Sequence, residues 1–522
     1  MEQTSGGVKL KLVKILPDRI QLKTNDAEFN SIRINDLLSV SDGDVELVVS
    51  VDSLTDTDAE SGIDEDDFIL DPVSMKVIEC SIIGSVVGEQ FVKAIDSYPT
   101  TDVAIRKIDE NDLNLIINGS AEGWLRIGKY TSYNNSAWLN GNKLFQRHSC
   151  IVGNTGSGKS ETLAKILEET SKLPGANIVL FDIHGEYSRL SYVDNIKIGP
   201  DFPFPAWLFG FQDMVTNILK IKEESATVIM SALRKCYKEH CPHGNEGKPL
   251  WFSYDDILER ITRLNKEVLN DGHYKNGEPK TKIGEYNGKL SGIANIMQAK
   301  RNDARYSFLF EERRQVYLLE FVNRLMGGDK PVKNIDLSDI PHDVAIPIIG
   351  AITKLVFDIQ RSTGPDFRPI TLVCDEAHVY IPNNFQLSAS ERRMVEVFEN
   401  IAKEGRKFGI TLFVASQRPS ELNKTIMAQC ANFIVGKLNN ENDKAMIKGM
   451  LPDGSENVID STTMFSPGDV LVVGDAAPIP LKIHVELAKE RPQSRTIDFW
   501  DEWSRSERTP DYSEQVQKYL ED

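Results

Sequence analysis

The pattern of apolar and polar residues divides the chain into regions of different character. Up to about residue 130, short β-branched runs are separated by turn residues at fairly regular spacing, as in KLKLVKIL, RIQLKT, VELVVSVD, SMKVIECSIIGSVV and LNLIIN. Runs of this length and spacing are typical of strands joined by turns in an all-β unit. We therefore predict a β-rich domain over residues 1–125 that folds as a small barrel or sandwich.

From residue 126 onward, apolar runs alternate with amphipathic helical patterns. The runs that we interpret as core strands lie in CIV (150–152), NIVLFDIHGEY (177–187), KNIDLSDIP (333–341), ITLVCDEAHVYIP (370–382), ITLFVASQRPSEL (410–422), ANFIVGKL (431–438) and VLVVGD (470–475). Strands alternating with helices indicate an α/β fold with a mostly parallel, doubly wound sheet. We predict this core over residues 126–211 and 331–488, followed by a weakly helical tail over residues 489–522 that carries Trp500 and Trp503.

Residues 212–330 interrupt the alternation with a charged segment of helical periodicity. Four apolar side chains fall on one predicted helix face: Ile257, Ile261, Leu264 and Val268. We interpret the segment as a helical insertion between the second and third core strands.

Two groups of residues in the insertion could bind a metal ion, a phosphate or another subunit. The first is Cys236, His240, Cys241 and His243, whose crowded spacing and lack of a second nearby Cys/His pair disfavour the alternative of a metal site. The second is the basic and aromatic run from Gln298 to Tyr306, which could contact phosphates or a neighbouring subunit. An exposed helix face is the favoured interpretation of this run.

Charge narrows the possible functions. The chain has 522 residues and a formal net charge of −18. An acidic surface argues against general binding to nucleic acid, although it is compatible with a locally basic channel. Acidic residues cluster from Asp56 to Asp67. We interpret this cluster as a solvated, mobile loop, because a calcium site needs an ordered ligand spacing around a glycine.

The cysteines and the lengths of the apolar runs indicate the cellular compartment of the protein. Six cysteines are scattered along the chain, and we expect them to be reduced and mostly buried. No run approaches the roughly 18 apolar residues of a membrane span. The N-terminal stretch MEQTSGGVKLKL also lacks the apolar centre of a signal peptide. We therefore expect a cytoplasmic protein without a membrane partner.

The most specific motif is the phosphate-binding loop G-x-x-x-x-G-K-[ST], which runs from Gly153 to Ser160 between a predicted strand and a predicted helix. Its glycines let successive N–H groups surround anionic oxygens, and the helix start adds partial positive charge. Lys159 is expected to reach the β- and γ-phosphates of ATP, and the Ser160 hydroxyl to hold Mg²⁺. The candidate nucleotide-binding residues are Asn154, Thr155, Gly156, Ser157, Gly158, Lys159, Ser160 and Glu161.

Polar residues at the ends of the other predicted strands complete the candidate site. Asp375 is expected to bind Mg²⁺, directly or through water, and Glu376 to act as the base that polarises the attacking water. Gln417, at the end of the next strand, could bond the γ-phosphate, with the alternative that it only forms a turn. The stretch from Asp182 to Glu186 ends an earlier strand, so we expect it near the nucleotide crevice. The alternative is a capping aspartate and a surface glutamate.

Two arginines lie outside these strand ends. Arg406 follows a predicted helix, and an exposed arginine there could stabilise transition-state charge in a neighbour's site. Surface ion pairing is the alternative. Arg147 lies just before the first core strand and allows the same two interpretations.

Together these motifs resemble the HerA branch of the HerA–FtsK ATPases. The resemblance is carried, in the family's order, by Arg147-His148 ahead of GNTGSGKS and by DIHGEY, IDLSDIP, CDEAH, EGRKFGI and ASQRPSEL, over about residues 125–485. The β-rich start resembles the family's N-terminal barrel more loosely, and the insertion matches no family motif. The resemblance implies a hexameric ring that hydrolyses ATP between subunits and moves double-stranded DNA through its pore. It also implies that Arg406 is a finger acting in trans, that Arg147 contacts nucleotide and that Gln417 is a sensor.

Two functions of different classes follow from this resemblance. The first is a DNA translocase or helicase that works with an effector in trans, such as a NurA-like nuclease or a sirtuin-type NAD hydrolase, in end processing or antiphage (antiviral) defence. The second is an ATP-regulated ring scaffold that activates a partner without sustained movement on DNA, which the acidic charge balance favours. A membrane-tethered DNA pump is disfavoured, since no apolar run is long enough to span a membrane.

Overall fold

The computed structural model describes residues 10–24, 29–43, 45–57, 75–88, 90–100, 102–117, 123–133, 135–222, 226–274, 278–364, 368–383, 387–451, 456–480, 482–493, 499–505 and 512–521. Residues 58–67, which hold most of the predicted acidic loop, lie outside the described residues.

Seven strands near the start of the chain form one antiparallel sheet. They are β1 (Lys11–Ile15), β2 (Arg19–Thr24), β3 (Leu37–Asp42), β4 (Val45–Thr57), β5 (Met75–Val87), β6 (Gln90–Val92) and β7 (Ala104–Lys107). Their hydrogen-bonded order is β1-β2-β5-β4-β3-β7, and β6 pairs with β5. Leu22, Val40, Val49 and Ile78 are among the fully buried side chains that form the core of this sheet. The predicted β-rich region is therefore confirmed.

Eleven strands form the central sheet, in the order β12-β15-β11-β16-β17-β10-β18-β19-β20-β8-β9. Their bounds are β8 (Trp124–Tyr130), β9 (Ser136–Asn140), β10 (His148–Val152), β11 (Ile178–Asp182), β12 (Val193–Lys197), β15 (Val332–Asp336), β16 (Ile370–Cys374), β17 (Ile410–Ser416), β18 (Cys430–Val435), β19 (Asp469–Gly474) and β20 (Lys482–Val485). The strands from β12 to β18 are parallel to one another, whereas β18-β19-β20-β8-β9 pair antiparallel. The mostly parallel α/β sheet is confirmed.

The α-helices longer than one turn in the described residues are α1 (Glu110–Ile117), α2 (Gly141–Gln146), α3 (Lys159–Ser171), α4 (Thr227–His240), α5 (Tyr254–Leu264), α6 (Ser291–Asn302), α7 (Val316–Val322), α8 (His342–Thr363), α9 (Ala389–Glu404), α10 (Lys424–Gln429), α11 (Glu441–Lys448), α12 (Glu456–Asp460), α13 (Phe499–Arg505) and α14 (Ser513–Glu521). Apolar side chains of α3 share a core with one face of the central sheet, and those of α8 and α9 share a core with the insertion. No helix among the described residues is long and apolar enough to cross a membrane.

Residues Leu113–Ile117 of the run LNLIIN, which we interpret as a strand from the sequence, lie in helix α1 instead. The carboxylate of Asp109 accepts hydrogen bonds from the N–H groups of Asn111 (2.8 Å) and Asp112 (2.9 Å) at the start of that helix. A capping aspartate of this kind favours a helix over a strand. Leu113, Ile116 and Ile117 then lie at helical spacing and are buried.

The insertion lies between β12 and β15 and contains α4 to α7. It also contains a two-stranded hairpin, β13 (Val268–His273) and β14 (Pro279–Ile283), that the helical prediction missed. Ile257, Ile261 and Leu264 are fully buried as predicted, but Val268 is 57% exposed. The prediction for Val268 is wrong because α5 ends at Leu264 and the chain turns into β13.

The other two groups in the insertion have ordinary contacts. Cys236 is buried, and the Cys241 thiol lies 3.3 Å from the Trp251 carbonyl oxygen. In the part of the chain that the structure describes, no group of three or more His, Cys, Asp or Glu side chains is arranged to hold a metal ion. The basic residues of the 298–306 run pair within the chain, as in the ion pair of Arg301 with Asp255 at 2.9 Å.

Candidate nucleotide site

The phosphate loop connects the buried strand β10 to helix α3. Gly156 (φ +77°) and Gly158 (φ +92°) adopt the left-handed conformation that favours glycine. A Cβ atom on Gly158 would lie 2.9 Å from the backbone nitrogen of Gly468, and the Gly468 N–H donates to the Ser157 carbonyl at 3.0 Å. Two glycines are thus needed where the loop turns and where it meets the segment before β19.

Lys159 lies at the start of α3 and is only 7% exposed. Its Nζ atom is 2.5 Å from Oε1 of Glu376 and 3.2 Å from Oδ1 of Asp375. Burial alone would lower the pKa of Lys159, but the two carboxylates outweigh it and raise that pKa. The lysine and the two acidic residues that the sequence singles out are therefore in direct contact.

Asp375 and Glu376 follow the buried strand β16. Oδ1 of Asp375 accepts the N–H of Glu376 at 3.0 Å, and Oδ2 accepts the hydroxyl of Tyr187 at 3.2 Å. Glu376 has φ +46°, a conformation that non-glycine residues rarely adopt and that occurs preferentially at functional sites. This backbone conformation, together with the contacts of Asp375, fixes both carboxylates at the end of the strand.

Gln417 follows β17 and links the phosphate loop to Glu376. Its Nε2 atom donates to Oε1 of Glu376 at 2.6 Å, and its Oε1 atom accepts a hydrogen bond from the hydroxyl of Thr155. A side chain held on both sides in this way is well placed to connect a change at the loop with a change at Glu376.

His378 belongs to the same network and was not singled out as a site residue in the sequence. Its Nδ1 atom lies 3.3 Å from Oε2 of Glu376 and 3.3 Å from the Ser416 hydroxyl. Burial lowers the pKa of His378 more than the nearby carboxylate raises it. The available sequence indication was its place in CDEAH, two residues after Glu376.

The stretch after β11 contributes residues with different roles. Asp182 is fully buried and accepts the N–H groups of Glu186 (3.1 Å) and Tyr187 (3.0 Å), so it holds the turn in place. His184 is exposed. The carboxyl group of Glu186 lies near the Ser160 hydroxyl at the end of the phosphate loop.

Glu161 follows Ser160 in helix α3. Its Oε2 atom is buried and has no hydrogen-bond partner among the described residues. Burial raises the pKa of Glu161, and the positive charge of Arg491 partly opposes that rise. An acidic side chain in the first turn of a helix is favoured by the helix dipole, so a structural role accounts for Glu161 as well as nucleotide binding does.

The two arginines do not join this group within one chain. Arg147 precedes β10, and its Nε atom lies 3.5 Å from Oδ2 of Asp475 at the surface. Arg406 precedes β17, is exposed and lines a cavity of about 760 Å³ with Phe145 and Thr371. Because β17 has seven residues at about 3.3 Å each, Arg406 lies on the order of 20 Å from the end of the strand that carries Gln417.

A phosphate loop with its lysine, an acidic pair on a parallel strand and a polar residue on the strand between them define a P-loop ATPase. Residues 125–356 match the family model described as "Helicase HerA, central domain". The chain is also similar to the DNA double-strand break repair helicase HerA of Saccharolobus solfataricus, with 24% identity over 79% of this chain and 78% of the relative. A probable helicase of Methanocaldococcus jannaschii is 25% identical over 78% of this chain and 75% of that protein. These similarities support a HerA-type ATPase.

Among solved structures, the fold is similar to that of VirB4 of Thermoanaerobacter pseudethanolicus. The TM-score is 0.50 at 15% identity, over 71% of this chain and 98% of that chain. At this identity the similarity concerns the fold alone.

Proposed function

We propose that this chain is an ATP-driven DNA translocase that acts as a homo-hexameric ring around double-stranded DNA. The observation that carries the proposal is the network joining Lys159, Glu376 and Gln417 at one edge of the sheet, with Arg406 exposed near the other edge. An arginine so far from its own phosphate loop can reach a nucleotide only on another subunit. The number of subunits and the passage of DNA through the pore come from the resemblance to HerA-type proteins.

Mg²⁺ is the proposed metal cofactor, and the residues present fit it. Ser160 supplies a hydroxyl oxygen and Asp375 a carboxylate, which are the oxygen ligands that Mg²⁺ prefers. Protein sites for Mg²⁺-nucleotide usually offer one or two carboxylates and leave the remaining positions to phosphates and water, so a site with few protein ligands is expected. When bound, the cation neutralises charge on the phosphates.

The protein residues then have separate roles. Lys159 exchanges its two carboxylates for the β- and γ-phosphates when ATP binds. Glu376, released from the lysine, accepts a proton from the attacking water. Gln417 holds the phosphate loop and Glu376 in a fixed relative position. Arg406 of the next subunit stabilises charge on the transferred phosphoryl group.

An effector in trans completes the proposal, with a NurA-like nuclease or a sirtuin-type NAD hydrolase as the two candidate classes. The biological setting is then DNA end processing or antiphage defence. Copurification with the product of an adjacent gene, followed by nuclease and NAD-hydrolysis assays of the complex, tests this part. A complex that shows neither activity would contradict it.

The central experiment measures ATP turnover by the purified ring with and without linear duplex DNA. A translocase should hydrolyse ATP faster when duplex DNA is present, and the Lys159→Ala variant should show no turnover in either condition. Turnover that is unaffected by DNA would favour the second candidate, a ring scaffold regulated by ATP. The net charge of −18 is the observation that favours that candidate.

A further inference from the structure

We infer that the carboxylate of Glu186 is a further part of the Mg²⁺ site, where it accepts hydrogen bonds from the water shell of the cation beside Ser160. The inference rests on the proposed binding of Mg²⁺-ATP at the phosphate loop. It adds a residue that the acidic pair after β16 does not include.

The fold determines where Glu186 lies. Its backbone N–H is held by Asp182 at 3.1 Å, and its carbonyl oxygen accepts the N–H of Gln493 at 2.7 Å. Gly185, directly before it, has φ +72°, and a Cβ atom there would lie 3.1 Å from the Ser338 hydroxyl oxygen. Asp182 and Gln493 therefore fix the backbone of Glu186, and Ser338 leaves no room for a side chain directly before it.

The side chain faces the phosphate loop without a complete set of partners. The hydroxyl of Ser160 lies near the carboxyl group, while Oε2 is buried and has no hydrogen-bond partner among the described residues. Burial raises the pKa of Glu186, and the charge of Asp375 raises it further. A buried carboxylate oxygen without a donor is costly, so a donor supplied by a bound ligand would stabilise it.

The neighbours of the two glutamates distinguish their roles. Glu376 contacts Lys159 and Gln417, so it lies on the side where the γ-phosphate is expected. Glu186 lies near Ser160, the residue whose hydroxyl is expected on the metal. Lys159 makes its ion pairs with Asp375 and Glu376, so a carboxylate near the metal-binding hydroxyl is better placed to hold metal-bound water than to activate the attacking water.

The test measures binding of a fluorescent, non-hydrolysable ATP analogue to the full-length protein at a series of Mg²⁺ concentrations. Loss of a residue that supports a metal site commonly weakens metal binding by roughly 10–100-fold. We expect Glu186→Gln to raise the Mg²⁺ concentration needed for half-maximal binding by at least about tenfold. Binding of the analogue without Mg²⁺ should be unchanged or slightly tighter, since a negative charge near the phosphates is removed. Glu186→Asp, which keeps the charge but shortens the side chain, should give a smaller shift in the same direction.

The matched control is Glu169→Gln, which removes a carboxylate from the far end of α3, where Glu169 pairs with Lys165 and Lys172. It should leave the Mg²⁺ dependence unchanged. An unchanged Mg²⁺ dependence in Glu186→Gln would overturn the inference. Equal weakening of nucleotide binding with and without Mg²⁺ would also overturn it, because it would indicate only a structural role in the turn.

The experiment also separates this inference from the proposed function. It uses no DNA, so a ring whose ATPase ignores DNA can still show the shift. If the unmodified protein fails to bind the analogue, or binds it as well as the Lys159→Ala variant does, the nucleotide site itself is contradicted. A normal Mg²⁺ dependence combined with loss of single-turnover hydrolysis in Glu186→Gln would assign Glu186 as a base and overturn its place at the metal.

Discussion

The two edges of the central sheet differ in how their charged groups are satisfied. At the carboxyl edge, Lys159 is buried against Asp375 and Glu376, and Gln417 ties Glu376 to the phosphate loop. At the amino edge, Arg406 is exposed beside a cavity, and Arg147 contacts Asp475 at 3.5 Å with nearly half of its side chain exposed. One edge is a closed network, whereas the other presents cations outward. This difference is what a catalytic site shared between adjacent subunits would require.

The largest loss of ATP hydrolysis is expected from a substitution at the carboxyl edge. Lys159→Ala should reduce ATP hydrolysis to background, since we propose that the lysine is the point charge on the β- and γ-phosphates and since it contacts both Asp375 and Glu376. A steady-state phosphate-release assay measures this. Retention of half the activity would show that the phosphate-loop assignment is wrong.

The Arg406→Ala variant tests the role of the amino edge. An arginine finger contributes roughly 10³–10⁵ in turnover, so hydrolysis should fall by that order while ATP binding stays nearly normal. Arg406→Lys should recover little, because an ammonium lacks the planar guanidinium fork. If the Arg406→Ala variant hydrolyses ATP at the rate of the unmodified protein, Arg406 is only a charged surface residue.

Mixing the two variants in one ring tests whether the two edges of the sheet contribute to one site from different subunits. Rings coexpressed from Arg406→Ala and Lys159→Ala chains contain interfaces that pair an intact phosphate loop with an intact arginine. Partial recovery of hydrolysis in those rings would place the two residues on different subunits of one site. Absence of recovery in rings verified as mixed would count against a finger in trans, unless every subunit must be competent.

A smaller loss in turnover, roughly 10²–10⁴-fold, is expected for Glu376→Gln. The amide keeps the shape of the side chain and loses the base, so ATP should stay bound and unhydrolysed. Nucleotide content measured after gel filtration checks this prediction. Normal turnover would show that Glu376 is not the general base, and Glu186 would be the next residue to test for that role.

The smallest effect should come from His378→Ala. The variant removes a side chain that lies beside Glu376 and shares a hydrogen bond with the Ser416 hydroxyl. That hydrogen bond is worth about 0.5–1.5 kcal/mol, so turnover should fall by up to roughly tenfold with little change in ATP affinity. His184→Ala is the control, since His184 is exposed. Equal losses in the two variants would mean that the contact of His378 with Glu376 does not matter for turnover.

The parts of the site that were predictable from sequence share one physical origin. Asp375 and Gln417 each follow a run of apolar residues that forms a parallel strand, and the carboxyl ends of such strands meet at one edge. Strand β10 and its loop obey the same rule, so their convergence could be expected without knowing the strand order.

The rest depended on interactions that local patterns do not contain. Strand β12 has a mixed sequence, VDNIK, and becomes a strand by pairing with β15 at the sheet edge. The hairpin β8–β9 joins the central sheet through β20, far away in sequence. His378 and Glu186 owe their places to contacts with residues from other segments, so single-sequence reasoning could only mark their neighbourhood.

The ion pairs of Lys159 also affect which ligands the phosphate loop can bind. One lysine facing two carboxylates leaves that cluster with a net negative charge, so a lone phosphate ion meets competition from both acidic side chains. A triphosphate that arrives with its own cation can displace them, because the cation compensates the carboxylates as the lysine turns to the phosphates. After hydrolysis the same carboxylates compete for the lysine again and favour departure of the product. We therefore expect these ion pairs to favour binding of a triphosphate with its cation over binding of a lone phosphate ion.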